Sequence, residues 1–136
     1  MNYIINSKHG CNIYQKDNMD YFKGSSISYI KQLCQKHLFT FEGYLKSCRA
    51  VFKYKYKIPL YITDSIQLIP TKSAKHMDVI WINYAQIKHF MVKNQNLLLV
   101  FHDGMEKMIE MSEIAWIKQI KRLDMIKSYK VKHFHS

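Results

Sequence analysis

From Ile58 to Met111 the chain alternates apolar and polar residues with a period of two, broken at short turn signals. That pattern constrains the fold more than any other feature. Successive side chains on a strand point to opposite faces, so period two means strands with one face buried. The runs are Ile58–Ile62, Ile66–Ile69, Val79–Asn83, Gln86–Val92, Leu97–His102 and Met105–Met111. Thr63-Asp64-Ser65 and Asn94-Gln95-Asn96 read as turns, and Lys72–Asp78 as a polar loop. Pro70 closes the second run, as suits a strand end or an edge. Asp103-Gly104 between two alternating runs is the strongest short hairpin signal a sequence can carry. Segments joined by such short connections pair antiparallel.

Helical spacing brackets the strands. Thr40 is placed to cap a helix over Phe41 to about Lys53, with Phe41, Tyr44 or Leu45, Cys48 and Phe52 on its inner face. Lys46, Arg49 and Lys53 then share the opposite side. Ser112 starts a second helix, with Glu113 in its first turn, running through Trp116 and Ile120 to about Ser128. Lys118, Lys121, Arg122 and Lys127 give it a basic side. Residues 27–39 fit a helical face (Ile27, Ile30, Cys34, Leu38) and also a strand start. The first twenty-four residues read as turns around the short apolar pieces Tyr3-Ile4-Ile5 and Asn12-Ile13-Tyr14. The expectation is one α+β domain over 1–136: an antiparallel meander of five or six strands, one helix before it and one C-terminal helix. Residues 41–128 form its best-defined core, and 129–136 are expected to be a frayed tail.

Charge narrows the function classes. The net charge is +11 over 136 residues, and residues 46–93 alone carry +7. From Ile117 onward there are six basic residues and one acid. Such an excess suits a polyanionic partner. A bland reading competes with it. Nineteen Lys against two Arg, with many Ile, Asn and Tyr, is also what AT-rich codons produce. No apolar run approaches the roughly 18 residues of a membrane span. Met1–Gly10 lacks the basic start and apolar centre of a secretory signal, and the three cysteines are an odd number. A cytoplasmic protein with free thiols is expected.

Enzyme signatures are missing: there is no GxxxxGK, GxGxxG or GxSxG. His102-Asp103 reads as turn chemistry, because adjacent strand residues face opposite ways. Cys48 falls on the apolar face of its helix and reads as an inert core thiol. His9-x-Cys11 and Cys34-x-x-His37 are each half a metal site, without four ligands at finger-like spacing. Neither metal nor cofactor is expected.

Two basic elements remain. In Lys53-Tyr54-Lys55-Tyr56-Lys57, an extended backbone would set three lysines on one face, within about 14 Å. They could follow a phosphate backbone or protect an edge strand from aggregation. The second element is the helix and tail from Lys118 to Lys132, which reads equally as a solvated face.

Several landmarks come in a recognisable order: Ser47-Cys48-Arg49, Ile66-Gln67-Leu68-Ile69 with Pro70-Thr71 and Ser73, Trp81-Ile82, and Ile87-Lys88-His89-Phe90. In these the chain resembles the ComK family of competence transcription factors. The resemblance implies a DNA-binding activator of competence genes that recognises paired AT-rich boxes on double-stranded DNA. Boxes spaced by helical turns suit a homodimer. RNA polymerase or a full-length ComK-like relative would be further partners. Narrow A-tract minor grooves attract inserted cations, Arg above all, so Arg49 in the matched motif ranks first for specificity. Lys46, Lys53, Lys55, Lys57, Lys118, Lys121 and Arg122 would supply backbone contacts. The chain departs from the family in two places. A Gly-Ser-Ser-Tyr-x-Gly-Arg type segment normally follows the Ser-Cys-Arg motif, whereas here Ala50–Lys57 leads directly to Ile58. The sequence also stops short of the usual C-terminal region. Both departures leave activation, multimerisation and adaptor-controlled degradation open. A ComK-like interaction module without specific DNA binding is the alternative.

Overall fold

The computed structural model describes residues 1–134. Nine strands, three α-helices and one 3-10 turn follow one another. They are β1 (Tyr3–Asn6), β2 (Cys11–Gln15), β3 (Asn18–Phe22), α1 (Ser26–Lys36), α2 (Phe41–Phe52), β4 (Leu60–Thr63), β5 (Ile66–Pro70) and β6 (Ile80–Asn83). A 3-10 turn (Tyr84–Gln86) then leads to β7 (Ile87–Lys93), β8 (Asn96–Phe101), β9 (Glu106–Ile109) and α3 (Glu113–Phe134). The fold is a single α+β domain.

The six alternating runs form β4 to β9, but the 3-10 turn divides them between two sheets. β4, β5 and β6 join the N-terminal strands in a six-stranded antiparallel sheet of order β3-β2-β1-β6-β5-β4, while β7-β8-β9 form their own sheet. β1 is therefore a central strand, with Ile4 opposite Trp81 of β6 and opposite Ile13 of β2. The N-terminal segment is two hairpins as well as turns. One bends tightly at Ser7–Gly10, where Ser7 N donates to Gly10 O at 2.8 Å. A Cβ on Gly10 would sit 2.2 Å from the Phe22 carbonyl oxygen, so only glycine fits there. The other turns through Asp17 at φ 61°.

Period two explains how the large sheet divides the core. Ile4, Leu68 and Trp81 face α1 and α2, where they meet Ile30, Cys34, Phe41, Tyr44 and Cys48. Their immediate neighbours Tyr3, Ile69 and Ile82 face the other way, toward Leu97, Leu99 and Phe101 of β8 and Trp116 of α3. Sheet residues buried on both faces read as near-continuous apolar runs, which is what β5 and β6 are. Pro70 ends β5 beyond the Leu60–Leu68 pairing, where no β4 partner needs its missing N–H.

Residues 26–36 resolve as a helix. Ser25 accepts from the Ser28 amide at 3.2 Å, and Ile30 and Cys34 point inward. Two helices thus precede β4. α3 starts as expected, with the Ala115 amide on Ser112 Oγ at 3.1 Å. It does not end at Ser128: the helix continues to Phe134. Residues 135–136 lie outside the described residues. α3 crosses from one core to the other, contributing Trp116 and Leu123 to the second and Ile126 to the first. The core therefore extends beyond 41–128 to take in the N-terminal strands.

Candidate nucleic-acid interface

α2 presents its cations by simple periodicity. The Thr40 hydroxyl accepts from the Gly43 amide at 3.0 Å and opens the helix. Phe41, Tyr44 and Cys48 are buried, which leaves Lys46 and Arg49 exposed on the far side. Lys53 then adopts a left-handed conformation at φ 63° and stops the helix, its amide bonded to the Arg49 carbonyl.

The Lys53–Lys57 segment is not the strand that its alternation suggests. Lys53 and Lys57, at φ 63° and 51°, are both left-handed, and no ladder forms between them. The segment instead lies along α3, and α3 takes up its carbonyls. Arg122 Nη1 donates to Tyr56 O at 2.8 Å, and Gln119 Nε2 donates to Lys57 O at 2.6 Å. The Arg122 guanidinium also lies 4.7 Å from the Tyr54 ring centre. Tyr54 in turn stacks on Phe52 with centroids 5.1 Å apart. Arg122, half-buried, thus holds the linker against α3 from the rim of the clefts it lines.

This pinning unites residues that are distant in sequence. Lys57 and Lys118 line one cleft, together with Tyr56, Gln119 and Arg122. Arg49, Lys55 and Lys57 line a second depression on the α2 side of the linker. Lys118, Lys121 and Arg122 line a third, beside Tyr54, with Glu113 as its one acid. Of the eight cations singled out in the sequence, Lys46, Arg49, Lys53, Lys55, Lys57, Lys118 and Lys121 are exposed, whereas Arg122 is half-buried.

Lys130 escaped the sequence reading. Its ammonium sits 5.3 to 5.5 Å from the ring centres of Phe39, Tyr44 and Tyr61, and donates to Tyr61 O at 3.0 Å. Burial pulls its pKa down, while the nearby Cys48 and Cys34 thiols oppose that. The signal was available, because Lys130 follows Ile126 by four residues and so falls on the buried stripe of α3. Tyr44 completes the arrangement: its hydroxyl donates to Pro59 O at 2.8 Å and accepts from Tyr61 N at 3.0 Å. Both main-chain groups of Tyr61 on edge strand β4 are therefore occupied by side chains.

Asp103 and the three cysteines serve the fold. Asp103 accepts from the Met105 and Lys16 amides, each at 2.9 Å, and from Asn2 Nδ2 at 2.7 Å. Burial raises its pKa, but these bonds outweigh that and hold it below the usual carboxylate value. Cys11, Cys34 and Cys48 are free and buried, and burial pushes Cys34 up to about 11. Among the described residues, no group of three or more His, Cys, Asp and Glu could hold a metal ion. No described helix is long and apolar enough to cross a membrane.

The fold and this face define a basic, single-domain α+β protein whose cations are gathered by packing between α2, the linker and α3. The chain belongs to the ComK family: the family model described as ComK protein matches residues 2–133. Membership points to a competence transcription factor, and to regulation in place of catalysis. Neither the curated proteins nor the solved structures contain a match to the chain.

Proposed function

We propose that this chain is a DNA-binding transcription regulator that acts on AT-rich double-stranded DNA in the cytoplasm and activates competence genes. One observation carries the reading: Lys57 and Lys118, 61 positions apart in the chain, line one cleft, with further cations on either side. A composition inflated by AT-rich codons would scatter lysines without gathering them. Lys46, Lys53, Lys55, Lys57, Lys118 and Lys121 contact phosphates, which supply affinity without sequence information. Arg49 is the specificity residue, exposed on α2 with its guanidinium free to enter a narrow minor groove. Arg122 shapes the surface from the rim of its clefts. The working unit is a homodimer on paired boxes, and RNA polymerase or a longer family member is its protein partner.

Electrophoretic shifts with Arg49→Ala test the reading. The variant should lose more affinity for a duplex of paired A- and T-tracts than for a scrambled duplex. Equal loss on both reduces Arg49 to a phosphate contact. Absence of any shift with wild-type protein on either duplex removes the DNA-binding reading.

A further inference from the structure

Between α2 and the C-terminal part of α3 lies an open cavity of about 460 Å³. Small-molecule sites span roughly 300–1,000 Å³. Phe39, Tyr44, Phe52 and Tyr129 give it aromatic walls, and Val51 and Ile126 aliphatic ones. Val51 and Tyr129 are exposed. Apolar side chains exposed around one hollow mark a binding groove, as scattered ones do not. Lys130 and His133 are the only basic residues of the lining, and no carboxylate lines it among the described residues. The Lys130 ammonium lies 5.3 Å from the Phe39 ring centre and 5.4 Å from that of Tyr44. Lys130 and both rings line the cavity, so this cation is built into its wall. Charges taken out of water are normally paired, yet Lys130 forms no ion pair with a described residue. Ring faces and the Tyr61 carbonyl offset part of that cost. Cys34 and Cys48, the thiols whose charge would act on it, stay neutral near pH 7 because burial raises both pKa values.

We infer that this cavity binds a small apolar carboxylate, its hydrocarbon body against the aromatic walls and its carboxylate paired with Lys130. Charge complementarity selects the ligand. One ammonium among apolar walls matches one negative charge, whereas a dianionic phosphate would bring charge that nothing there meets. A hydrocarbon body gains by leaving water for the ring faces. The inference is independent of the DNA-binding reading, since the cavity shares no residue with the three clefts that gather cations.

The test follows isoleucine methyl resonances of the full chain during titration with decanoate, decan-1-ol and decyltrimethylammonium. Ile126 lines the cavity, and Ile69, buried in the other core, is the internal control. Decanoate should move Ile126 and leave Ile69 still. Decan-1-ol should bind about tenfold more weakly, having no charge to pair with the ammonium, and the cationic amphiphile more weakly again. Lys130→Met keeps an apolar stem and should bring decanoate down to the affinity of decan-1-ol, which itself should not change. Ser47→Phe lies on the exposed rim and should fill the mouth, abolishing the response in a protein whose urea midpoint is unchanged. It decides the matter if Lys130→Met fails to fold. Equal binding of all three amphiphiles, or decanoate affinity that Lys130→Met leaves intact, overturns the carboxylate site. So does an Ile126 resonance that no amphiphile moves but an acidic amphipathic peptide does, which would make the cavity a protein groove. Decanoate binding that weakens as protein concentration rises, with a dimer in sedimentation, would give the cavity to a second copy and also overturn the inference.

Discussion

Arg122 of α3 donates a hydrogen bond to the Tyr56 carbonyl at 2.8 Å and covers the Tyr54 ring at 4.7 Å. One guanidinium thereby fixes both the path of the linker and the positions of Lys55 and Lys57. Replacing it should cost stability and binding together. Arg122→Ala should lower stability by about 1–2 kcal/mol, from one hydrogen bond and one cation–π contact. It should weaken DNA more than Lys121→Ala does, although both remove one charge. Arg122→Lys should restore little, because the fork and the stacking plane are lost. Urea denaturation and duplex titration of the three variants check this.

The Tyr44 hydroxyl bridges Pro59 O and Tyr61 N. Tyr44→Phe keeps the ring but leaves both groups unpaired beside an edge strand. A loss of about 1–3 kcal/mol is expected. The variant should shift the urea midpoint without changing the slope, and DNA affinity measured well below the transition should hold.

How much of this was legible depends on which side chains each backbone buries. β4 and β8 were readable because Ile62, Leu97, Leu99 and Phe101 alternate with more exposed neighbours, and β5 and β6 because they are short apolar runs buried on both faces. β3 was not: Asn18, Met19, Asp20 and Tyr21 are all exposed on an edge strand, so burial imposes no pattern on them. The Lys53–Lys57 segment misled in the opposite way. Its alternation is genuine, but two left-handed lysines turn the chain, and carbonyl partners on α3 replace a strand neighbour. The same contact explains the candidate face. Arg49, Lys118 and Arg122 could each be named from sequence, whereas the hydrogen bonds of Arg122 and Gln119 to the linker carbonyls could not. The family landmarks Ile66–Pro70 and Trp81–Ile82 proved to be core strand and spoke to fold.

Asp103 predicts an acid effect of defined sign. Its folded pKa lies below the unfolded value of 3.8. The unfolded state therefore takes up protons first as pH falls. The stability from Asp103 is full above pH about 4 and is lost as pH falls through the folded value. Asp103→Asn should be less stable than wild type near neutral pH, and the gap should close below pH about 4. Denaturation of both proteins across pH 2–7 checks this.

Burial raises the pKa of all three thiols, with Cys34 the most perturbed at about 11. Thiolate is the reactive form, so native protein at pH 8 should react slowly with a thiol reagent such as DTNB. In denaturant all three cysteines should react at once. Rapid titration of even one thiol in the native state would contradict the packing of α1 and α2 described above.

The central claim is that the cations gathered around the linker bind AT-rich DNA. Equilibrium titration of the full chain on a duplex with paired A- and T-tracts and on a scrambled duplex, at two salt concentrations, tests it most directly. The account predicts tighter binding to the paired tracts at both salts. It also predicts a steep loss as salt rises: with about five phosphates neutralised, log K should fall with log salt at a slope near −4.5. Equal affinity for the two duplexes, or binding that salt does not weaken, would contradict it and favour a ComK-like module that binds protein.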